Sequence, residues 1–187
     1  MRSVILASKS PRRLELLKML GYDVKSIVSD VDESEVHDSD NKNLVKKLSY
    51  EKAMAVFKLI NDDSTPIIAA DTIVDLNGDV LGKPKDREDA RNMLISLSGA
   101  THYVHTGITI LYNGKCISEC NSSAVTFRDI SQLELENYLN TNDYADKAGS
   151  YGIQGKAGAF VERIDGDFFS IMGLPICMVS KILNDLN

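Results

Sequence analysis

The sequence predicts an α/β protein built on a mixed sheet, because two-residue hairpin signals and strand–helix–strand units occur in the same chain. The length and balance agree: 187 residues, 43% hydrophobic and 26% charged, suit a globular chain able to bury a sizeable core. No internal repeat, low-complexity segment or linker interrupts it, so residues 1–187 are expected to form one domain.

VILA (4–7) reads as a short buried strand running straight into a helix. Ser10 suits the N-cap, Pro11 the first helical position and Gly21 the C-terminal stop, while Leu14, Leu17 and Leu20 recur on one face. A second strand and an acidic stretch follow over residues 23–41. Residues 43–60 predict a long amphipathic helix with Leu44, Leu48, Ala55 and Leu59 near one face. PIIAADTIVDL (66–76) is apolar and β-branched, hence a central strand, and Asn77-Gly78 turns it into a short return strand. Asp86 and Asp89 open a helix that reaches about Leu97 and stops at Gly99. Two long strands joined at Asn113-Gly114 come next, and SQLE (131–134) is a capping box for a helix through Leu139. Residues 148–173 predict a Gly-rich loop and a hairpin turning at Asp165-Gly166, and a last helix follows Pro175.

Several function classes drop out. A net charge of −6 offers no overall basic field for nucleic acid, though a local pocket for a small anion remains open. No apolar run approaches the ~18 residues of a membrane span, and VILA after a single arginine is too short for a signal peptide, so the expected location is the cytoplasm. Cys116, Cys120 and Cys177 form no CxxC pair; Cys116 and Cys120 would share one strand face as small apolar fillers. GSYGIQGKA lacks P-loop spacing, no GxGxxG occurs, and His102 and His105 should face opposite sides of a strand, which disfavours a paired metal site. A nucleophile elbow for Ser-His-Asp catalysis is also missing.

What remains points to phosphate. Arg12 and Arg13 sit in a helical first turn, where the dipole and free N–H groups are already positive and acidic residues are favoured. Two guanidinium groups there make a concentrated anion site, flanked by the hydroxyls of Ser8 and Ser10. Asp71 lies inside an apolar strand, where a carboxylate is costly unless paired or bound to metal. Asp30, Asp32 or Glu33 in the acidic stretch could complete a Mg²⁺ site with it, since Mg²⁺ takes one or two carboxylates plus substrate phosphates. Lys52, mid-helix, reads by default as a solvated face; Lys83, in a stiff Gly-Lys-Pro loop, could aim an ammonium at a phosphate.

Taken together, LASKSPRR, AADTIV, GKPKD, LSGATHYVHTG, DKAGSYGIQG and GLP occur in the order found in the Maf family of nucleoside triphosphate pyrophosphatases, also linked to septum formation. The resemblance runs from residue 4 to residue 175 and into the last helix. It implies an elongated mixed sheet flanked by helices, similar to inosine triphosphatase-like proteins, with two lobes around a cleft. It also implies hydrolysis of a nucleoside triphosphate to the monophosphate and pyrophosphate with a divalent cation, Mg²⁺ or Mn²⁺. The family's proton acceptor falls on Asp71, its acidic position on Glu33, and its phosphate-binding and polar cleft positions on Ser8, Arg12, Arg13, Lys52 and Lys83. The resemblance thus puts Asp71, Glu33 and Lys52 at the chemistry, with Asp71 and Glu33 as metal ligands; whether Asp71 takes a proton or binds the metal stays open. Positions tied to substrate choice fall on Arg12, Thr72 and Gln154, and the Thr72–Gln154 pairing resembles the branch acting on dTTP and UTP rather than its 7-methyl-GTP sister. A glutamine can present both donor and acceptor to a pyrimidine edge. Two alternatives stand beside this: the sister specificity, and a non-catalytic nucleotide-binding regulator of septum formation. A two-fold homodimer is the expected assembly.

Overall fold

The computed structural model describes residues 2–28 and 30–186. Seven strands, β1 (Ser3–Leu6), β2 (Asp23–Ser26), β3 (Ile67–Leu76), β4 (Asp79–Leu81), β5 (Thr101–Tyr112), β6 (Lys115–Phe127) and β7 (Val161–Asp165), form one sheet. Its order is β2-β1-β3-β5-β6-β7, with β4 added beside β3. β1 runs parallel to β2 and β3, and the remaining pairings are antiparallel, so the sheet is mixed as the two kinds of sequence signal require. The helices are α1 (Pro11–Met19), α2 (Asn41–Ile60), α3 (Arg87–Leu97), α4 (Gln132–Leu139), α5 (Phe168–Met172) and α6 (Ile176–Asp185).

Side chains alternate across a strand, so each strand feeds two packing layers. At one end of β3, Ile68 and Ala70 join Leu16 and Leu17 of α1 and Val179 and Leu183 of α6. On the opposite face, Ile67 and Ala69 meet Ala53 and Val56 of α2. At the far end, Val74 and Val104 enter a separate core with Leu94 and Leu97 of α3 and Leu135 and Leu139 of α4. β3 and β5 therefore run from one lobe into the other. β1 accompanies β3 only at Ile67 and Ile68, and β4 joins the same edge only from Val74 onward. Between them β3 has no strand partner on that edge among the described residues. The cleft opens at this gap.

Three local expectations are corrected. The buried face of α2 consists of Val45, Leu48, Ser49, Ala53 and Val56, while Leu59 is 70% exposed. The helix lies across the sheet with its small residues inward, and one strand position explains why. A Cβ on Gly107 would stand 2.2 Å from the Val45 carbonyl oxygen, so α2 approaches β5 more closely than any side chain there would allow. Asp165-Gly166 is not a hairpin: β7 pairs back onto β6, and the chain then enters α5, whose N-cap Asp167 accepts from the Phe169 N–H. The cysteines are free, and Cys116 and Cys177 are exposed rather than core fillers; Cys120 is partly buried. The other punctuation agrees with the sequence, including the Ser131–Glu134 capping box.

His102 and His105 do face different surroundings. His105 contacts Ser122 (Nδ1···Oγ 2.8 Å) and Asp75 (Nε2···Oδ2 3.3 Å). His102 lies edge-on to Phe127, bonds the Tyr151 hydroxyl through Nε2 at 2.8 Å, and leaves Nδ1 without a hydrogen-bond partner among the described residues. Burial pushes the His102 pKa down to about 4, against roughly 6.5 for a free histidine. Between those values the unfolded chain binds a proton that the folded chain refuses. Stability is therefore complete above pH ~6.5, falls as the pH drops toward 4 and levels off below it, a loss of about 3 kcal/mol from this group. Urea unfolding of His102→Phe at pH 6.5 and 4.5 is expected to show a shallower acid loss than the unmodified chain. An unchanged acid slope would locate the proton elsewhere.

Candidate functional site

The gap in the β3 edge opens into a cleft of about 1230 Å³, with walls from both lobes. Ser8, Arg12, Arg13, Glu33, Lys52, Asp71, Thr72, Lys83 and Gln154 all line it, so the fold brings together the residues singled out in the sequence. Among the described residues its lining carries seven cationic side chains against five carboxylates, a local positive excess in a chain of net charge −6. Such a concave reversal of sign draws anions in.

Asp71 faces α2, on the same side of β3 as Ile67 and Ala69, and is 7% exposed. Its Oδ1 accepts from Lys52 Nζ at 2.5 Å, and the same ammonium reaches Glu33 Oε1 at 2.8 Å. Lys52 is thus not a solvated helix residue. The close seat of α2 over Gly107, which pairs with Asp71 in the sheet, brings it down to the carboxylate. Burial works to raise the Glu33 carboxyl pKa, but the Lys52 hydrogen bond and the charges of Lys52, Lys83 and Arg13 outweigh it and hold the group below its ordinary value. Glu33 sits in a short 3₁₀ turn, Glu33–Glu35, capped by Asp32, whose Oδ1 accepts from the Ser34 N–H. Asp32 is therefore spent on the turn; Asp30 lines the cleft.

Two carboxylates converging on one point are the protein share that Mg²⁺ habitually takes when phosphate oxygens complete its shell. Among the described residues no group of three His, Cys, Asp or Glu is placed to hold a metal by itself. Asp71 and Glu33 thus fit a metal that arrives with its substrate, with Lys52 holding the carboxylates apart from repulsion meanwhile.

The opposite wall begins at α1. Ser10 occupies the N-cap position with an extended backbone, yet its side chain makes no capping bond, and its own N–H donates to Ser8 Oγ at 3.1 Å. No acidic residue stands in the first turn. The first turn of α1 thus supplies no carboxylate of its own to offset the pole. Arg13 is locked in place: Nε donates to the Gly173 carbonyl (2.8 Å), one terminal nitrogen to Ser8 Oγ (3.3 Å) and the other to Thr72 Oγ1 (3.1 Å). Burial pushes the Arg13 pKa down, Asp71 and Glu33 push it up and Arg12 adds to the lowering, yet an arginine stays charged. Its confined charge calls for an anion. Arg12 instead reaches across to the other lobe, with Nη1 3.3 Å from Asp146 Oδ2.

Thr106 donates to the Ser170 carbonyl at 2.8 Å, so its oxygen is free to accept the Thr72 hydroxyl at 2.9 Å. The Thr72 hydroxyl proton is thereby used, and its oxygen already receives Arg13. Thr72 acts in this geometry chiefly as a prop for Arg13. Gln154 is exposed on the far wall, and Lys83 is exposed on the loop after β4. The sequence reading missed Gly107, Thr106 and the Gly173 carbonyl. Only Gly107 carried a local signal, a glycine inside a strand.

Fold and charge distribution together define a two-lobed α/β protein with a cation-rich cleft beside a buried carboxylate. The chain matches the Maf-like protein family over residues 3–186, and it belongs to that family. It is 45% identical over 185 residues to a dTTP/UTP pyrophosphatase of Clostridium perfringens (strain SM101 / Type A), covering 97% of this chain and 96% of that one. It is 46% identical over 190 residues to a dTTP/UTP pyrophosphatase of Clostridium botulinum (strain 657 / Type Ba4), covering 100% and 98%. Among solved structures the Staphylococcus aureus Ham1 protein shares the fold, with a TM-score of 0.57 at 14% identity over the whole of both chains. No helix among the described residues is long and apolar enough to cross a membrane.

Proposed function

We propose that this chain is a metal-dependent pyrophosphatase that converts dTTP and UTP to the monophosphate and pyrophosphate. The observation that carries the reading is the pair of full-length relatives at 45–46% identity that bear this activity in their names. The cation-rich cleft supplies the matching chemistry.

Water attacks the α-phosphorus, the bond from that phosphorus to the bridging oxygen breaks, and the electron pair leaves on pyrophosphate. Asp71 takes the water's proton on the oxygen that Lys52 does not hold, while Lys52 keeps the carboxylate oriented. Arg13 and the open first turn of α1 neutralise phosphate oxygens in fixed positions, where they need no reorganisation during the reaction. Glu33 would hold a Mg²⁺ or Mn²⁺ arriving with the phosphates, and the ion would supply charge neutralisation there and a more acidic bound water; a direct bond from Asp71 to the ion would replace its proton-acceptor role rather than add to it. Gln154 reads the base edge. One domain with the cleft between its lobes, a cytoplasmic location and a two-fold dimer complete the reading.

Pyrophosphate release measured with dTTP, UTP and 7-methyl-GTP in Mg²⁺ or Mn²⁺ tests it. The two pyrimidine nucleotides are expected to exceed 7-methyl-GTP by about 10-fold or more in kcat/KM, with Gln154→Ala narrowing the ratio. Preference for 7-methyl-GTP would assign the sister specificity, and tight binding without turnover would make the protein a regulator.

A further inference from the structure

The cleft contains a second charge group, of which only Arg12 is expected from the sequence to bind phosphate. At its mouth Asp146 is gripped from both sides: Arg12 Nη1 lies 3.3 Å from Oδ2, and Lys147 Nζ lies 2.5 Å from Oδ1. Arg12 belongs to α1 in one lobe, whereas Lys147 precedes Ala148 and Tyr151, which pack in the core of the other. Guanidinium, carboxylate and ammonium alternate here and sum to one positive charge. The inner group of Glu33, Lys52 and Asp71 alternates in the opposite sense and sums to one negative charge. Arg13 and Lys83 also act on that inner group, so the outer group extends a cationic lining from the floor to the mouth.

Lys147 is not an ordinary surface lysine. Its side chain is 18% exposed, and its ammonium also donates to the Asp143 carbonyl at 2.5 Å. Its stem runs over Gly152, where a Cβ would stand 2.7 Å from Lys147 Cε and 2.8 Å from Cδ. A glycine leaves the track that carries the stem to the cleft wall. An ammonium has three protons and the two contacts use two, so the third is available to a ligand in the cleft that Lys147 lines. Arg12 likewise has four N–H groups beyond the one it gives Asp146.

We propose that Lys147, together with Arg12, binds the β- and γ-phosphates, the part of the substrate that departs as pyrophosphate. The inference rests on the pyrophosphatase reading and orients the substrate within it. The α-phosphorus lies over Asp71 and Glu33, and the phosphate tail runs along the first turn of α1 to the mouth. When the bond to the α-phosphorus breaks, its electron pair and the new charge move onto the leaving pyrophosphate, toward the net-positive group. Asp146 keeps the two cations from repelling across the open mouth until that charge arrives.

Binding to the intact chain separates this arrangement from others. Calorimetric titration with pyrophosphate and, separately, with dTMP, each in Mg²⁺, reads the two product sites without requiring turnover. Lys147→Met keeps the stem over Gly152 and removes only the charge. It is expected to weaken pyrophosphate binding about 10-fold, the scale of one charge-assisted hydrogen bond, and to leave dTMP within two-fold. Lys147→Arg is expected to restore most of the pyrophosphate affinity. Unchanged pyrophosphate affinity in Lys147→Met, or an equal loss for dTMP, overturns the proposal, as does failure of Lys147→Arg to rescue a correctly folded protein. Absence of pyrophosphate release from dTTP and UTP by the unmodified chain would instead sink the pyrophosphatase reading, and the two failures are therefore told apart.

Discussion

Asp71→Asn is expected to lower pyrophosphate release from dTTP by about 10²–10⁴-fold, the usual contribution of a positioned acid or base. Asn has nearly the same shape and can still accept a hydrogen bond from Lys52 through its amide oxygen, while Lys52 keeps Glu33 as a charged partner. The fold should therefore survive, and a thermal melt run beside the assay separates chemistry from unfolding. The change falls in kcat more than in KM, because the phosphate-holding groups, Arg13 and the first turn of α1, reach the cleft from other elements. Turnover within a few-fold of the unmodified chain would remove Asp71 from the chemistry and leave Glu33 as the remaining carboxylate of the pair.

Gly107→Ala is expected to be the most damaging single methyl group in the chain. The added Cβ would meet the Val45 carbonyl oxygen at 2.2 Å, its carbon at 2.4 Å and the Lys46 nitrogen at 2.7 Å. Those are backbone atoms of α2 and cannot swing aside as a side chain does. Overpacking of a tight core costs roughly 1–3 kcal/mol, and backbone contact places this case near the upper end, a fall in Tm of about 6–12 °C for a chain of this size. The second effect is catalytic. α2 can relieve the clash only by lifting off the sheet, which draws Lys52 away from Asp71, the residue paired with Gly107. Differential scanning fluorimetry and the pyrophosphate assay on the same preparation read both. A variant with native Tm and native rate would mean that α2 accommodates the methyl group without moving.

These two residues also mark how far the sequence could be read. Asp71 was legible because an ionisable residue inside PIIAADTIVDL contradicts its surroundings, and a contradiction of burial is visible one residue at a time. Arg12 and Arg13 were legible for the same reason, being charges at the wrong helix pole. Their fates then diverged: Arg13 is clamped by Gly173, Ser8 and Thr72, whereas Arg12 spans the mouth to Asp146, 134 positions away. Adjacent letters carry no hint of that difference. Lys52 looked like one more lysine on a helix face, because its burial depends on the depth at which α2 seats. Leu59 looked like part of the apolar face, and the small residues Ser49 and Ala53 took that place because the helix had to come close.

The sequence by itself determined most of the elements, though not the passage from β7 into α5, together with the mixed character of the sheet, the phosphate chemistry and the family whose ordered motifs run through the chain. All of these follow from local causes: alternation in strands, capping at helix ends, turn residues, and charges placed where isolated elements would not favour them. Tertiary structure decided the gap between β1 and β4 that opens the cleft, the seating of α2 over Gly107 that pairs Lys52 with Asp71, and the charge group that Arg12, Asp146 and Lys147 form across the mouth. Each depends on the distance between segments far apart in the chain. That distance is fixed by how whole layers pack, and no short stretch of sequence encodes it.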